Sequence, residues 1–254
     1  SIGIDNDYGS RRDFMTAQWK LASLYRRCVK KELLDEAGNW HEFDWFGQLG
    51  QKEYEASSVS VRFTYELATQ PLSSCRMTYT VAEDASIKVE LDYDVVEGLP
   101  EIPDFAMLFT LPADYDQVRF YGYGPLDNYA DRQRGARLGI FETTAKDEVE
   151  PYLQPQETGN HGGIRWIEVT DHRGRGVRLA MDEEPFEASA LPYSAHELEN
   201  ARHAYDLPEV HHTFLRASLG QCGVGGDDTW GAPVLPEYTV KNETKHFSFY
   251  FKGI

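Results

Sequence analysis

The chain has 254 residues, enough to bury a full core without disulfides or metals, and it fits one large all-β domain or two small ones. A net charge of −17 argues against phosphate backbones as partners, so no nucleic acid is expected, and the plainest consequence of the charge is solubility. Hydrophobic residues make up 41 % with no apolar run near membrane-span length, and the three cysteines, Cys28, Cys75 and Cys222, lack the number and spacing of a disulfide scaffold or a zinc site.

Cysteine usage points to a reducing compartment, so the cytoplasm is the expected location, with the periplasm left open. The opening residues carry no basic stretch followed by an apolar core, so they do not read as a signal peptide. A start without Met suggests a processed end or a subunit fragment.

In chain order, the first predicted element is a helix over residues 12–25, with Phe14, Ala17, Leu21 and Leu24 on one face. Residues 38–56 are irregular but hold Trp40, Phe43, Trp45 and Phe46, which argues for an ordered loop or hairpin rather than disorder. Period-two runs follow at Val59, Val61, Phe63 and Tyr65, and at Ile87, Val89, Leu91 and Tyr93. Ile164, Trp166 and Glu168 continue the pattern, and Phe247, Phe249 and Phe251 close the chain. Such alternation marks antiparallel sheet with one buried face. Turn residues separate the runs at Glu83-Asp84, Gly98-Leu99-Pro100, residues 171–176 and Asn242-Glu243. A second helix is predicted over residues 194–204, where Ser194 and Glu197 have capping-box spacing and Leu198 and Ala201 supply the apolar stripe. No internal repeat or linker interrupts the chain. The expected architecture is one all-β domain over residues 1–254, built as two large packed sheets.

Some segments are too rich in glycine and aromatics for ordinary strand. Tyr121-Gly122-Tyr123-Gly124-Pro125 leads into Leu126-Asp127-Asn128-Tyr129-Ala130-Asp131-Arg132, a dense polar cluster that also fits a turn whose Arg pairs with a nearby Asp. Residues 152–163 offer Gln156, Glu157, Asn160 and His161 to a ligand, or form a plain surface loop. Gly223-Val224-Gly225-Gly226-Asp227-Asp228-Thr229-Trp230-Gly231 resembles a phosphate cradle, but no Lys follows and two Asp stand beside it. A neutral polar ligand suits it better. The Trp230 face would offer apolar area to a sugar, and Asp227 and Asp228 could accept from hydroxyls, hold the loop or bind a cation. His211, His212 and His203 invite a metal reading, yet adjacent residues on a strand point to opposite faces. No G-x-S-x-G occurs, and 42 carboxylates leave a glycosidase-type pair open.

Taken in order, these segments resemble the small-chain or C-terminal domain of bacterial β-galactosidases of glycoside hydrolase family 2. The matching stretches are Ile4-Asp5-Asn6-Asp7-Tyr8-Gly9, residues 121–132, Pro155 through His161, Pro185-Phe186 through Leu191-Pro192-Tyr193-Ser194, and residues 223–231. The chain departs from the family at Asp127, where Glu is usual, and at Cys222, where Met is common.

The resemblance implies a large antiparallel supersandwich related to galactose mutarotases, beside a barrel domain whose pocket it completes. It implies that Trp230, with Asp227 and Asp228, binds the galactoside, and that Gly9, Ser10 and Arg11 open a mobile loop. The catalytic glutamates and the magnesium and sodium ligands of the family lie on the barrel domain. No cofactor is therefore expected in this chain, and the isolated chain is expected to be inactive. The family domain begins several strands before the Asn-Asp motif, so the chain reads as truncated at its N-terminal strands, which would expose sheet edge and favour a homo-oligomer. The expected partners are the remaining domains or large subunit of the enzyme and a galactoside substrate, with no membrane. Two other readings stand beside this one. An aldose-epimerase-like enzyme would need a His, such as His161, His203 or His212, paired with a Glu. A free galactoside-binding module would rest on Trp230.

Overall fold

The computed structural model describes residues 17–44, 57–226 and 232–254. Their order is helix α1 (Gln18–Leu24), then strands β1 (Arg26–Leu34), β2 (Trp40–Glu42), β3 (Ser58–Leu67), β4 (Ser73–Ala82), β5 (Ile87–Tyr93), β6 (Asp104–Pro112), β7 (Gln117–Gly124) and β8 (Arg137–Thr144). The second half holds β9 (His161–Ile164), β10 (Trp166–Thr170), β11 (Gly176–Met181), β12 (Phe186–Leu191), helix α2 (Ala195–Asn200), β13 (His212–Gln221) and β14 (Lys245–Gly253), with single 3-10 turns at Ala204–Asp206 and Pro236–Tyr238.

The fold is all-β, as the alternation predicts, and every strand pairing among the described residues is antiparallel. The two sheets are unequal, however. One has ten strands in the order β2-β1-β3-β4-β5-β14-β11-β10-β7-β8, and the other has four, β6-β13-β12-β9. The small sheet covers only part of the large one. Buried Val89, Leu91, Phe120, Val169, Leu179, Phe247 and Phe249 from the large sheet meet Phe105, Phe186, Ala188, Leu215 and Ala217 from the small one in a single apolar cluster. Strand β14 lies at its centre, with Phe247 opposite Leu91, Phe249 opposite Val89 and Phe251 opposite Ile87 on β5, and with β11 on its other flank.

Away from that cluster the period-two pattern persists without burial. Val59 begins the β3 run and is 44 % exposed, while only Leu67, Met77 and Tyr79 from β3 and β4 reach the core. Alternation reports which face a side chain takes, not whether a second layer stands opposite.

Three other sequence expectations change. The run through Ile164, Trp166 and Glu168 belongs to two strands in different sheets, and β10 buries Ile167 and Val169 instead. Trp166 faces the other way, with the guanidinium of Arg178 at 4.7 Å and that of Arg119 at 5.5 Å from its ring centre, a cation–π arrangement that suits a half-exposed indole. The first helix is described only from Gln18, and its buried residues are Trp19 and Ala22, whereas Leu21 and Leu24 are each 49 % exposed. The indole has the larger apolar area to bury, and it packs edge-on against Tyr93 at 6.0 Å; Phe14 lies outside the described residues. The second helix keeps its reciprocal Ser194–Glu197 capping box and buries Leu198, but ends at Asn200.

The turns fall where their residues place them, including the 171–176 turn, whose Asp171 accepts from the amides of Arg173 and Arg175 and from the Arg175 guanidinium. The aromatic stretch after Gly38 supplies a hairpin strand, β2, in which Arg62 covers the Trp40 ring at 4.1 Å; Trp45 and Phe46 lie outside the described residues.

Phe249 is fully buried at the centre of this cluster. Phe249→Ala is expected to cost about 3–5 kcal/mol in urea denaturation, by lost transfer energy plus a cavity. The exposed Val59→Ala should cost less than about 0.5 kcal/mol.

Candidate functional site

Strands β7, β9 and β13 deliver three of the glycine-rich segments to one place. β7 ends at Gly124, whose bond to Pro125 is cis, and the chain turns into residues 126–132. Asn128, buried, ties that loop to the one before β9. Its amide donates to the Asn160 carbonyl at 2.7 Å, and the Asn160 side-chain amide donates back to the Asn128 carbonyl at 2.8 Å. The Asn128 side chain also donates to the Tyr123 carbonyl at 2.9 Å and accepts from the Gly162 amide at 2.9 Å. Both asparagines thereby satisfy backbone groups that the loop path would otherwise leave orphaned. Gly159 permits the path. Its φ is +69°, and a Cβ there would meet the Glu148 carbonyl at 2.9 Å.

Below the loops is the outer face of the small sheet. Leu215 and Ala217 of β13 point into the apolar core, so Arg216 and Ser218 point the other way. Arg216 is only 8 % exposed. It donates to Asp104 of β6 at 2.8 Å, to Gln221 at 2.9 Å, to Ser189 of β12 at 3.2 Å and to the Asn160 side-chain oxygen. Ser218 donates to the other Asp104 oxygen. Burial works against the charge of Arg216, but Asp104, Glu157 and Glu187 more than offset it and hold the guanidinium protonated. Glu187, beside Arg216 on β12, has its pKa raised by burial and by Asp104, against the pull of Arg216 and a bond from Asn160. Tyr129, buried next to Asp127 and Glu157, is pushed far above the ordinary phenol value, first by burial and then by those carboxylates.

The third segment hangs from this frame. The Asp131 carboxylate accepts from the Val224 amide at 3.2 Å and the Gly225 amide at 2.7 Å. Arg132 donates to the Gly225 carbonyl at 3.2 Å. The consecutive Val224 and Gly225 amides thus face one carboxylate and form an anion-binding concavity, and the chain leaves it through Gly225 and Gly226 at φ of +64° and +85°. That concavity, which resembles a phosphate cradle in the sequence, holds a carboxylate from the same chain. Gly223 is required beside it, since a Cβ would stand 2.5 Å from an Asp131 oxygen.

Of the sequence-predicted site residues, Asp227, Asp228 and Trp230 lie outside the described residues, as do Gly9, Ser10 and Arg11. The described chain runs to Gly226, directly before the first of them. His161 does pair with a carboxylate, Glu148, at 2.7 Å, and its other ring nitrogen lies 3.1 Å from the Tyr123 carbonyl. It is 2 % exposed, and its ring packs on Phe120 at 4.2 Å. Both nitrogens are committed to the protein, which leaves none for an epimerase-type proton transfer. His203 stacks on Tyr205 at 5.0 Å and His212 opens β13 on the surface. Among the described residues, no three His, Cys, Asp or Glu side chains gather as a metal site. Arg216, Asp104 and Glu187 escape sequence reasoning. Alternation marks Arg216 as facing away from Leu215, but nothing in the sequence says that loops bury it.

The sequence matches the family described as beta galactosidase small chain over residues 3–251. It is 41 % identical over 240 residues to a beta-galactosidase of Halalkalibacterium halodurans, covering 93 % of this chain and 22 % of that protein. It is 40 % identical to the beta-galactosidase BgaC of Bifidobacterium adolescentis, covering 93 % of this chain and 21 % of that protein. It is 33 % identical to a beta-galactosidase small subunit of Latilactobacillus sakei, covering 76 % of this chain and 64 % of that protein. The chain thus spans about a fifth of the two longer relatives.

The frame generates two predictions. Arg216→Met leaves Asp104 facing a largely buried site without its cation and should cost about 3 kcal/mol in urea denaturation at neutral pH. Glu187, whose folded pKa is raised, contributes stability that is fully present below its unfolded pKa and lost as pH rises through the folded value. Glu187→Gln should therefore raise the Tm at about pH 7 and leave it nearly unchanged at about pH 4, as thermal melts at the two pH values would check.

Proposed function

Starting from a chain that belongs to the β-galactosidase small-chain family, we propose that it is the pocket-completing part of a β-galactosidase and carries no catalytic carboxylate of its own. In this reading the enzyme is of glycoside hydrolase family 2 and removes terminal β-D-galactosides with retention, a reaction that needs two carboxyl groups about 5 Å apart. Both are supplied by the barrel-containing remainder of the enzyme, together with its magnesium and sodium sites. This chain supplies a wall and a platform.

One observation carries the proposal. Three segments that are distant in sequence, residues 126–132, 159–162 and 223–226, are cross-bonded on the outer face of one sheet, and the last leads straight into Asp227, Asp228 and Trp230. A frame with so many satisfied polar groups is costly to build and gives loops a fixed geometry, which is what a sugar site requires. Trp230 is assigned the platform under the galactoside, and Asp227 and Asp228 the acceptors for its hydroxyls. Gly9, Ser10 and Arg11 are assigned to a loop that closes over the same pocket. The partner is the rest of the enzyme, as one polypeptide or as a large subunit. Nucleic acid is disfavoured by the charge of −17. No helix among the described residues is long and apolar enough to cross a membrane, and a cytoplasmic location is assigned from cysteine usage.

A chromogenic β-galactoside assay tests the proposal on the isolated chain, on the barrel-containing portion, and on their mixture. Activity is expected in the mixture alone, with Trp230→Ala lowering kcat/KM about 10- to 100-fold, equivalent to roughly 1.4–2.7 kcal/mol. Turnover by the isolated chain would place the carboxylates here and overturn the assignment.

A further inference from the structure

We infer that a cavity at the entry to β14 is a binding site for a small organic anion, a carboxylate or a phosphate ester, whose acidic group rests against Lys245 and Lys241.

The cavity measures about 350 Å³, a size in the range of small-molecule sites. It is lined by Leu219 and Gly220 at the end of β13 and by alternate residues of the chain entering β14, namely Thr239, Lys241, Glu243 and Lys245. In a chain of net charge −17, two lysines on one cavity stand against the general trend.

Lys245 is the unusual member. It stands on the face of β14 that carries Phe247 and Phe249 into the core, opposite Tyr93 of β5. Strand alternation therefore commits a lysine to the apolar side, and its side chain is only 8 % exposed. An ammonium so far from water needs an anion beside it. It donates to Glu243 at 3.0 Å, but the Glu243 side chain is 63 % exposed. Lys245, first through that bond, and Lys241 through space hold the Glu243 carboxyl below the usual range. The two lysines thus already converge on one carboxylate, carried by a side chain that water can reclaim. Glu243 occupies the place of a ligand's acidic group and can swing aside for it. Leu219 and Val240 then offer apolar surface to the rest of the molecule.

The backbone around the cavity is fixed in advance. Asn242, between Lys241 and Glu243, donates to the Val96 carbonyl at 2.9 Å and the Leu99 carbonyl at 3.0 Å, and accepts from the Tyr93 hydroxyl at 2.8 Å. The Val240 carbonyl accepts from the Ile102 amide at 2.9 Å. Binding therefore requires side-chain movement alone, which keeps its entropic cost low.

Isothermal calorimetry on the 254-residue chain tests the site with benzoate and phenyl phosphate, and with benzamide as the neutral control. At least one of the two anions is expected to bind with a Kd of about 1 mM, and benzamide at least about tenfold more weakly. Binding of one anion alone assigns the site to carboxylates or to phosphate esters, and binding of both assigns it to either. Lys245→Met is expected to weaken binding about tenfold or more; it leaves no buried charge unpaired, because Glu243 stays in water. Glu243→Gln is expected to tighten binding about threefold, by removing the carboxylate that competes for the lysines. Lys241→Met, at an exposed position, should weaken binding about threefold and serves if Lys245→Met fails to fold. A lysine kept only for the fold would give no heat with either anion. That result, equal binding of benzamide, unchanged affinity in both lysine variants, or weaker binding in Glu243→Gln would overturn the site.

Discussion

Arg216 carries a charge that it cannot shed, in a position that water barely reaches. A buried guanidinium must be answered on all its donor edges, and the answering groups come from across the chain: Asp104 on β6, Ser189 on β12, Gln221 at the end of β13, and Asn160 from the loop before β9. The demand of one side chain thus fixes the small sheet and the loops against each other. Asn160 passes the constraint to Asn128, and Asn128 passes it to the turn that presents Asp131. Such a network adds little net stability over an apolar equivalent, but it allows few alternative arrangements.

The glycine-rich segment at 223–226 shows how one local geometry serves different ends. Backbone amides that converge on a concavity bind an anion, and in many proteins that anion belongs to a ligand. Here it is the carboxylate of Asp131, contributed from more than ninety positions away, at a separation of 93 to Val224. The glycines are consumed in making the chain's own joint. Their value to a ligand is indirect, in the placement of whatever follows them.

The sequence made the class of fold legible through alternation, and β5, β14 and the capped second helix stand as their patterns predict. It did not reveal how far the two layers overlap. Val59 and Phe247 obey the same periodicity, yet only Phe247 is covered, because coverage depends on which strands stand opposite. The β10 face departs from the alternation for a related reason. Arg165 marks the passage between sheets, and the register changes there by one residue. The polar cluster was legible as a set of residue types at 127–132 and 156–161. Its partners Arg216 and Glu148 were not, since a buried hydrogen bond between separate segments leaves no local pattern. His161 illustrates the cost. Its composition invited a catalytic reading, and its burial against Phe120 and Glu148 withdraws it.

The central place of β14 also governs the order in which the sheet is assembled. Strands β2, β1, β3, β4 and β5 form one block from the first part of the chain, and β11, β10, β7 and β8 form another. Among the described strands, only β14 joins the blocks edge to edge, and its residues 245–253 follow those of every other described strand in the sequence. A chain emerging from a ribosome can prepare both halves but cannot unite them until that strand is free. Until then each half presents an unpaired edge, at β5 and at β11, beside the most apolar part of the protein. The two blocks therefore close over the core only where β14 enters between them.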